Sequence, residues 1–133
     1  NVMLAVDDPG RMVAIFDWDM CTLGDPLNDL GALLCYWTEP DDPPHFQGMT
    51  RMPAGDLGFL PRAELVARYA DKSGRAVHDI HFYHALGLYR LVVIIAQIFI
   101  RYKRGQTQDQ RFAAFEMMIP YTAKAAKEIA LKG

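Results

Sequence analysis

Apolar and polar positions divide this chain into a short strand-like start and a long helical remainder. Asn1-Val-Met-Leu-Ala and Met12-Val-Ala-Ile-Phe16 are two apolar runs separated by Asp7-Asp8-Pro9-Gly10, and together they predict a hairpin. Such a hairpin sets Asn1, opening its first strand, near Asp17, which follows the second. The period then lengthens. Leu27, Leu30, Leu34 and Trp37 recur near helical spacing behind Asp25-Pro26. That pair suits a helix start, because Asp accepts the free backbone N–H groups and Pro favours the first helical position. The helix should end before Pro40.

From Glu39 to Leu60 prolines and glycines accumulate, which predicts a long loop. Pro61 to Ser73 reads as a helix closed by Gly74, with Leu65, Val66 and Tyr69 on one side. Its charges Arg62, Glu64, Arg68 and Lys72 are expected on a solvated face. A longer helix should run from about Asp79 to Arg104 and stop at Gly105. Its segment Leu91 to Ile100 is the most apolar in the chain. That segment is shorter than the roughly 20 residues that span a bilayer and is flanked or interrupted by Arg90 and Gln97, so a buried core helix and no membrane span are expected. Asp109 to Leu131 is a last helical stretch, broken or kinked at Pro120, since proline lacks the amide and clashes with the preceding turn. The class is α+β, mainly α.

Composition adds bounds. With 133 residues and 51% hydrophobic content the chain suits one domain with ample core material. A formal charge of −2, without a basic block, does not imply nucleic acid. Two cysteines, Cys21 and Cys35, are too few for a disulfide framework and suggest a reducing compartment, the cytoplasm.

The candidate chemistry gathers at the end of the predicted hairpin. Asp17 and Asp19 are two carboxylates at i and i+2 just past a strand, and they can converge on a hard cation such as Mg²⁺, which takes oxygen ligands. A solvated strand end is the plainer account of such a pair taken alone. The Asn1 amide would add another oxygen ligand. His78, His81 and His84 lie three apart and could share a metal, but no Cys or acid completes a zinc set, and packing or surface histidines are the expectation.

Asn1-Val2-Met3-Leu4, the strand ending Phe16-Asp17-Trp18-Asp19, and Gly24-Asp25-Pro26-Leu27-x-Asp29-Leu30-Gly31 form a linked set. It resembles the aminoglycoside phosphotransferase family, the small-molecule branch of the protein-kinase-like fold, and especially its branch found in or beside acyl-CoA dehydrogenase-like proteins. The resemblance implies that Asn1 closes a catalytic loop of the form His-Gly-Asp-x-x-x-x-Asn. It makes Asp17 the metal-binding Asp facing the nucleotide phosphates, and Asp19 an acidic position near the metal. Asp29 would brace the catalytic loop backbone without touching substrate. Tyr83, Tyr89 and Arg90 would be candidates for an acceptor pocket or for the core.

The family's catalytic Asp and nucleotide-clamping lobe would then lie upstream of Asn1, so no catalytic residue is expected within 1–133. Residues 1–133 are expected to be part of a C-terminal lobe, with a metal-binding hairpin at 1–19 and a helical body at 25–133. The implied reaction moves the γ-phosphoryl of ATP or GTP to a small hydroxyl-bearing acceptor with Mg²⁺. The fragment alone is expected to be inactive and to self-associate through an uncovered apolar face. The alternatives are a catalytically silent kinase-like interaction module, and a hydrolase with Asp17 as nucleophile, for which the usual further Lys and Asp motifs are not found.

Overall fold

A computed structural model describes residues 1–19, 21–42 and 58–132. Strands β1 (Val2–Leu4) and β2 (Met12–Ile15) pair antiparallel, with Val2 opposite Ile15 and Met3 opposite Ala14. The register then slips, so that Leu4 faces Met12 and Val13 is the extra residue of a bulge. The Asp8-Pro9-Gly10 turn closes the ribbon. The Asp8 carbonyl accepts from the Arg11 N–H at 3.0 Å and its carboxylate accepts from the Gly10 N–H at 3.0 Å. Every apolar side chain of the strands except that of Ala14 is about half exposed, from 46% at Ile15 to 57% at Val2.

The remainder is helical: α1 (Leu27–Tyr36), α2 (Arg62–Ser73), α3 (Ile80–Lys103), a 3₁₀ turn (Gln110–Ala114) and α4 (Phe115–Ala130). At the head of α1, the Asp25 carboxylate accepts the Leu27 N–H at 2.9 Å, satisfying an amide that the first turn leaves free. Gly74 and Gly105 close α2 and α3 with φ of 67° and 69°, the left-handed conformation that glycine adopts without a Cβ penalty. Of the predicted 39–60 loop, residues 43–57 lie outside the described residues.

Helices α1 and α4 both pack on α3. The α1–α3 contact is close because it is built on glycines: a Cβ on Gly87 would come within 2.6 Å of Cys35 Sγ, and one on Gly31 would overlap the Tyr83 backbone. Leu27, Leu30, Leu34 and Ile80 form one core, with Leu65, Val66 and Tyr69 of α2 against it. Cys35 and Leu88 form a second, covered by Ala125, Ala126 and Ile129 of α4.

Three sequence expectations change. First, the Leu91–Ile100 segment is not a buried core. Ile95 is buried, but Val93, Ile94 and Ile100 are 38%, 48% and 49% exposed. A 10-residue α1 cannot cover a 24-residue α3, since each residue adds only about 1.5 Å of helix length. Among the described residues α3 is the one helix long and apolar enough to cross a membrane by length and composition, and 28% of its apolar window is buried. Second, Arg62 is not solvated but 18% exposed and paired. Third, the helical stretch is not broken at Pro120, which lies inside α4, and the change of helix type falls at Gln110–Ala114. Pro120 and Glu116 are both exposed, so water can satisfy the carbonyl that proline leaves free.

Candidate functional site

The hairpin register determines the geometry of its open end. Phe16 N–H donates to the Asn1 carbonyl at 2.9 Å, extending the ladder past Val2 and Ile15. The next residue, Asp17, has φ of 64° and is the one non-glycine with positive φ among the described residues. That left-handed turn ends the strand and folds the Asp17 carboxylate back over Asn1, whose Nδ2 donates to Asp17 Oδ2 at 2.8 Å. The Trp18 indole N–H donates to the Ile15 carbonyl at 2.7 Å and pins the turn from the other side.

Asn1 and Asp17 are both exposed and bring an amide and a carboxylate together. This donor set has the hard, oxygen-only chemistry that Mg²⁺ requires. Asp19 is exposed and is not drawn into this pair by any hydrogen bond among the described residues. Asp29 is likewise exposed, in the first turn of α1.

Tyr83 donates its hydroxyl to Asp25 Oδ2 at 2.7 Å, and Arg90 Nη1 donates to Asn28 Oδ1 at 3.4 Å. Both therefore fasten α3 to the start of α1. The Tyr83 hydroxyl, then the Leu27 N–H, hold the Asp25 carboxyl below the usual carboxylate range. Tyr89 is 61% exposed. Cys21 is free and exposed, whereas burial pushes the free Cys35 thiol up to about 12.

Of the three spaced histidines, His78 is exposed beside Asp79, His81 is exposed, and His84 is buried. Among the described residues no group of three His, Cys, Asp or Glu side chains is placed to hold a metal. Sequence reasoning missed two features. Arg62 donates from Nε to the Trp37 carbonyl at 2.7 Å, from Nη1 to Glu39 at 2.8 Å, and from Nη2 to Asp42. His84 keeps a buried Nε2 with no hydrogen-bond partner among the described residues. No local signal marks either one, because both depend on contacts between separate elements.

Strand end, left-handed Asp17 and its Asn1 partner thus form one hydrogen-bonded hairpin end. Residues 1–65 match the model of the phosphotransferase enzyme family. The chain is 26% identical over 102 residues to acyl-CoA dehydrogenase family member 11 of Mus musculus, covering 75% of this chain and 13% of the relative. It is 27% identical over 108 residues to the Rattus norvegicus protein of the same name, again covering 75% and 13%. With acyl-CoA dehydrogenase family member 10 of Mus musculus it shares 24% identity over 103 residues, 77% of this chain and 10% of that one. The matches thus span only about a tenth of the curated relatives' length. No solved structure matches the chain.

Proposed function

We propose that the complete protein is a small-molecule kinase, and that this chain supplies the metal-binding hairpin and the helical part of its protein-kinase-like C-terminal lobe. The observation that carries the reading is the Asn1–Asp17 contact at 2.8 Å on a left-handed backbone, at the position the family match covers. Asn1 Oδ1 and the Asp17 carboxylate would hold Mg²⁺, whose charge offsets that on the transferred phosphoryl group. Asp19 is the outer acid. The left-handed Asp17 backbone and the Trp18–Ile15 hydrogen bond preorganise the carboxylate, so that little reorganisation is needed when phosphates arrive. The donor is ATP or GTP and the acceptor a small hydroxyl compound. The group that activates the acceptor is not assigned to this chain, and the chain by itself is inactive.

A cytoplasmic location is part of the same reading, supported by two free thiols. So is a soluble α3, supported by its glycine-mediated packing on α1. Nucleic acid is not a partner in this reading, in keeping with the near-neutral charge. A catalytically silent kinase-like interaction module is the second reading, favoured by the half-exposed apolar side chains of both strands and of α3.

The test is phosphoryl transfer by the full-length protein with Mg²⁺ and ATP or GTP across a panel of hydroxyl compounds, beside Asp17→Ala and Asp17→Asn. The expected outcome is a loss of about a hundredfold or more in kcat/KM for both variants, the scale seen when one preorganised electrostatic group is removed. Wild-type rates in Asp17→Asn would remove the metal role. A wild-type protein that neither transfers nor binds nucleotide would leave the silent module.

A further inference from the structure

A cavity of about 680 Å³ opens between α2 and the C-terminal half of α4, bordered also by the end of α1, by Glu39 and Asp42, and by the first turns of α3. Among the described residues, none of those lining it precedes Leu34, and none belongs to the hairpin. Its volume is that of a small-molecule site. Three features of its walls define what it takes.

The first is an apolar inner wall, to which Leu34, Val66, Ile80, Ala125 and Ile129 contribute. The second is balanced charge: Arg62, Lys124 and Lys132 stand against Glu39, Asp42 and Glu128. Arg62 is already bound to both Glu39 and Asp42, and Lys124 lies 3.8 Å from Glu128. Apart from the exposed Lys132, each of these wall charges already stands beside an opposite one, so an organic ion meets few free counter-charges and the walls favour an uncharged occupant.

The third is His84, whose ring lines the cavity, which is 8% exposed and whose Nε2 has no partner among the described residues. Burial, then the Arg62 charge, hold this imidazole down to about 4, so at neutral pH it carries one N–H and one lone pair. A buried polar group without a partner is uncommon and unfavourable, and a ligand hydroxyl can give and receive a hydrogen bond there. Rotation about the Cβ–Cγ bond, a broad and soft torsion, would change which edge of the ring faces the cavity, and binding through His84 requires that Nε2 reach it in this way.

We propose that this cavity binds an uncharged small molecule with an apolar body and a hydroxyl group that hydrogen-bonds to His84. The site rests on the cavity alone and stands whether or not the protein transfers phosphate.

The experiment titrates the full-length protein with benzyl alcohol, benzyl methyl ether, benzoate and benzylammonium, reading isoleucine methyl and histidine ring signals by NMR. Benzyl alcohol should bind in the millimolar range expected of so small a probe, shifting the His84 and Ile129 signals. Both ions should bind at least tenfold more weakly, and the ether severalfold more weakly. His84→Leu should erase the difference between alcohol and ether. Ala63→Trp, at an exposed position on the cavity rim, should abolish binding of all four without unfolding the chain. Tighter binding of either ion, no binding by any probe, or alcohol binding unchanged in Ala63→Trp would each overturn the proposal.

Discussion

Asp17 shows how one backbone angle makes a site. A β-region residue there would carry the strand onward and point the carboxylate away from Asn1. At φ of 64° the chain reverses and the two side chains meet. Asp and Asn tolerate this conformation better than most residues, so Asp17→Asn removes the charge while keeping the turn, whereas Ala adds backbone strain. His84 carries a different consequence. Burial, then the Arg62 charge, hold its folded pKa at about 4, below the ordinary imidazole value of 6.5. Between those values the unfolded chain takes up a proton that the native ring refuses, so stability falls as pH drops from about 7 to 4. The loss is on the order of 3 kcal/mol. Urea unfolding at pH 7 and pH 4.5 should show it, and His84→Leu should flatten the difference. Asp25 and Asp109 are held below the ordinary carboxylate range and titrate beneath this window.

At the scale of elements, two contacts decide how the helices sit. Gly31 and Gly87 let α1 and α3 approach until a methyl group no longer fits. Gly87→Ala should cost about 1–3 kcal/mol by overpacking, despite the higher helix propensity of alanine, as a fall in the urea midpoint with unchanged m-value. Arg62 ties the first turn of α2 to the residues after α1, through Trp37, Glu39 and Asp42. The Trp37 indole reinforces the junction by donating to the Leu60 carbonyl at 2.8 Å. Removing Arg62 leaves two carboxylates close together and partly buried. Arg62→Ala should destabilise by about 2–4 kcal/mol. Arg62→Lys should recover little of it, since an ammonium lacks the planar fork that bonds several acceptors at once. Thermal melts of the two variants would settle this.

Over the whole molecule, apolar surface is unevenly covered. The first half of α3 holds most of its buried residues, although Phe82 and Tyr89 are exposed, while both strands and the later part of α3 present half-exposed Val, Ile, Leu and Met side chains. Patches of that extent on a soluble chain promote association. Sedimentation velocity of the 133-residue chain should show species larger than monomer that grow with concentration, and a clean monomer at high concentration would contradict it.

The local signals in the sequence determined the hairpin, its Asp8-Pro9-Gly10 turn, the Asp25 start of α1, the glycine stops of α2 and α3, and the meeting of Asn1 with Asp17. Each is encoded within a few residues or by counting along two paired strands, and backbone hydrogen bonding leaves little choice. Residues 43–57 of the predicted loop lie outside what is described. The tertiary structure alone decided that Arg62 is a clamp and not a solvated charge, that Leu91–Ile100 is only partly covered, and that His84 stands unpartnered beside a cavity. Those outcomes depend on which helices reach which neighbours. A period of 3.6 marks the face of a helix that prefers burial, but the lengths and crossing points of the surrounding elements decide how much of that face is covered.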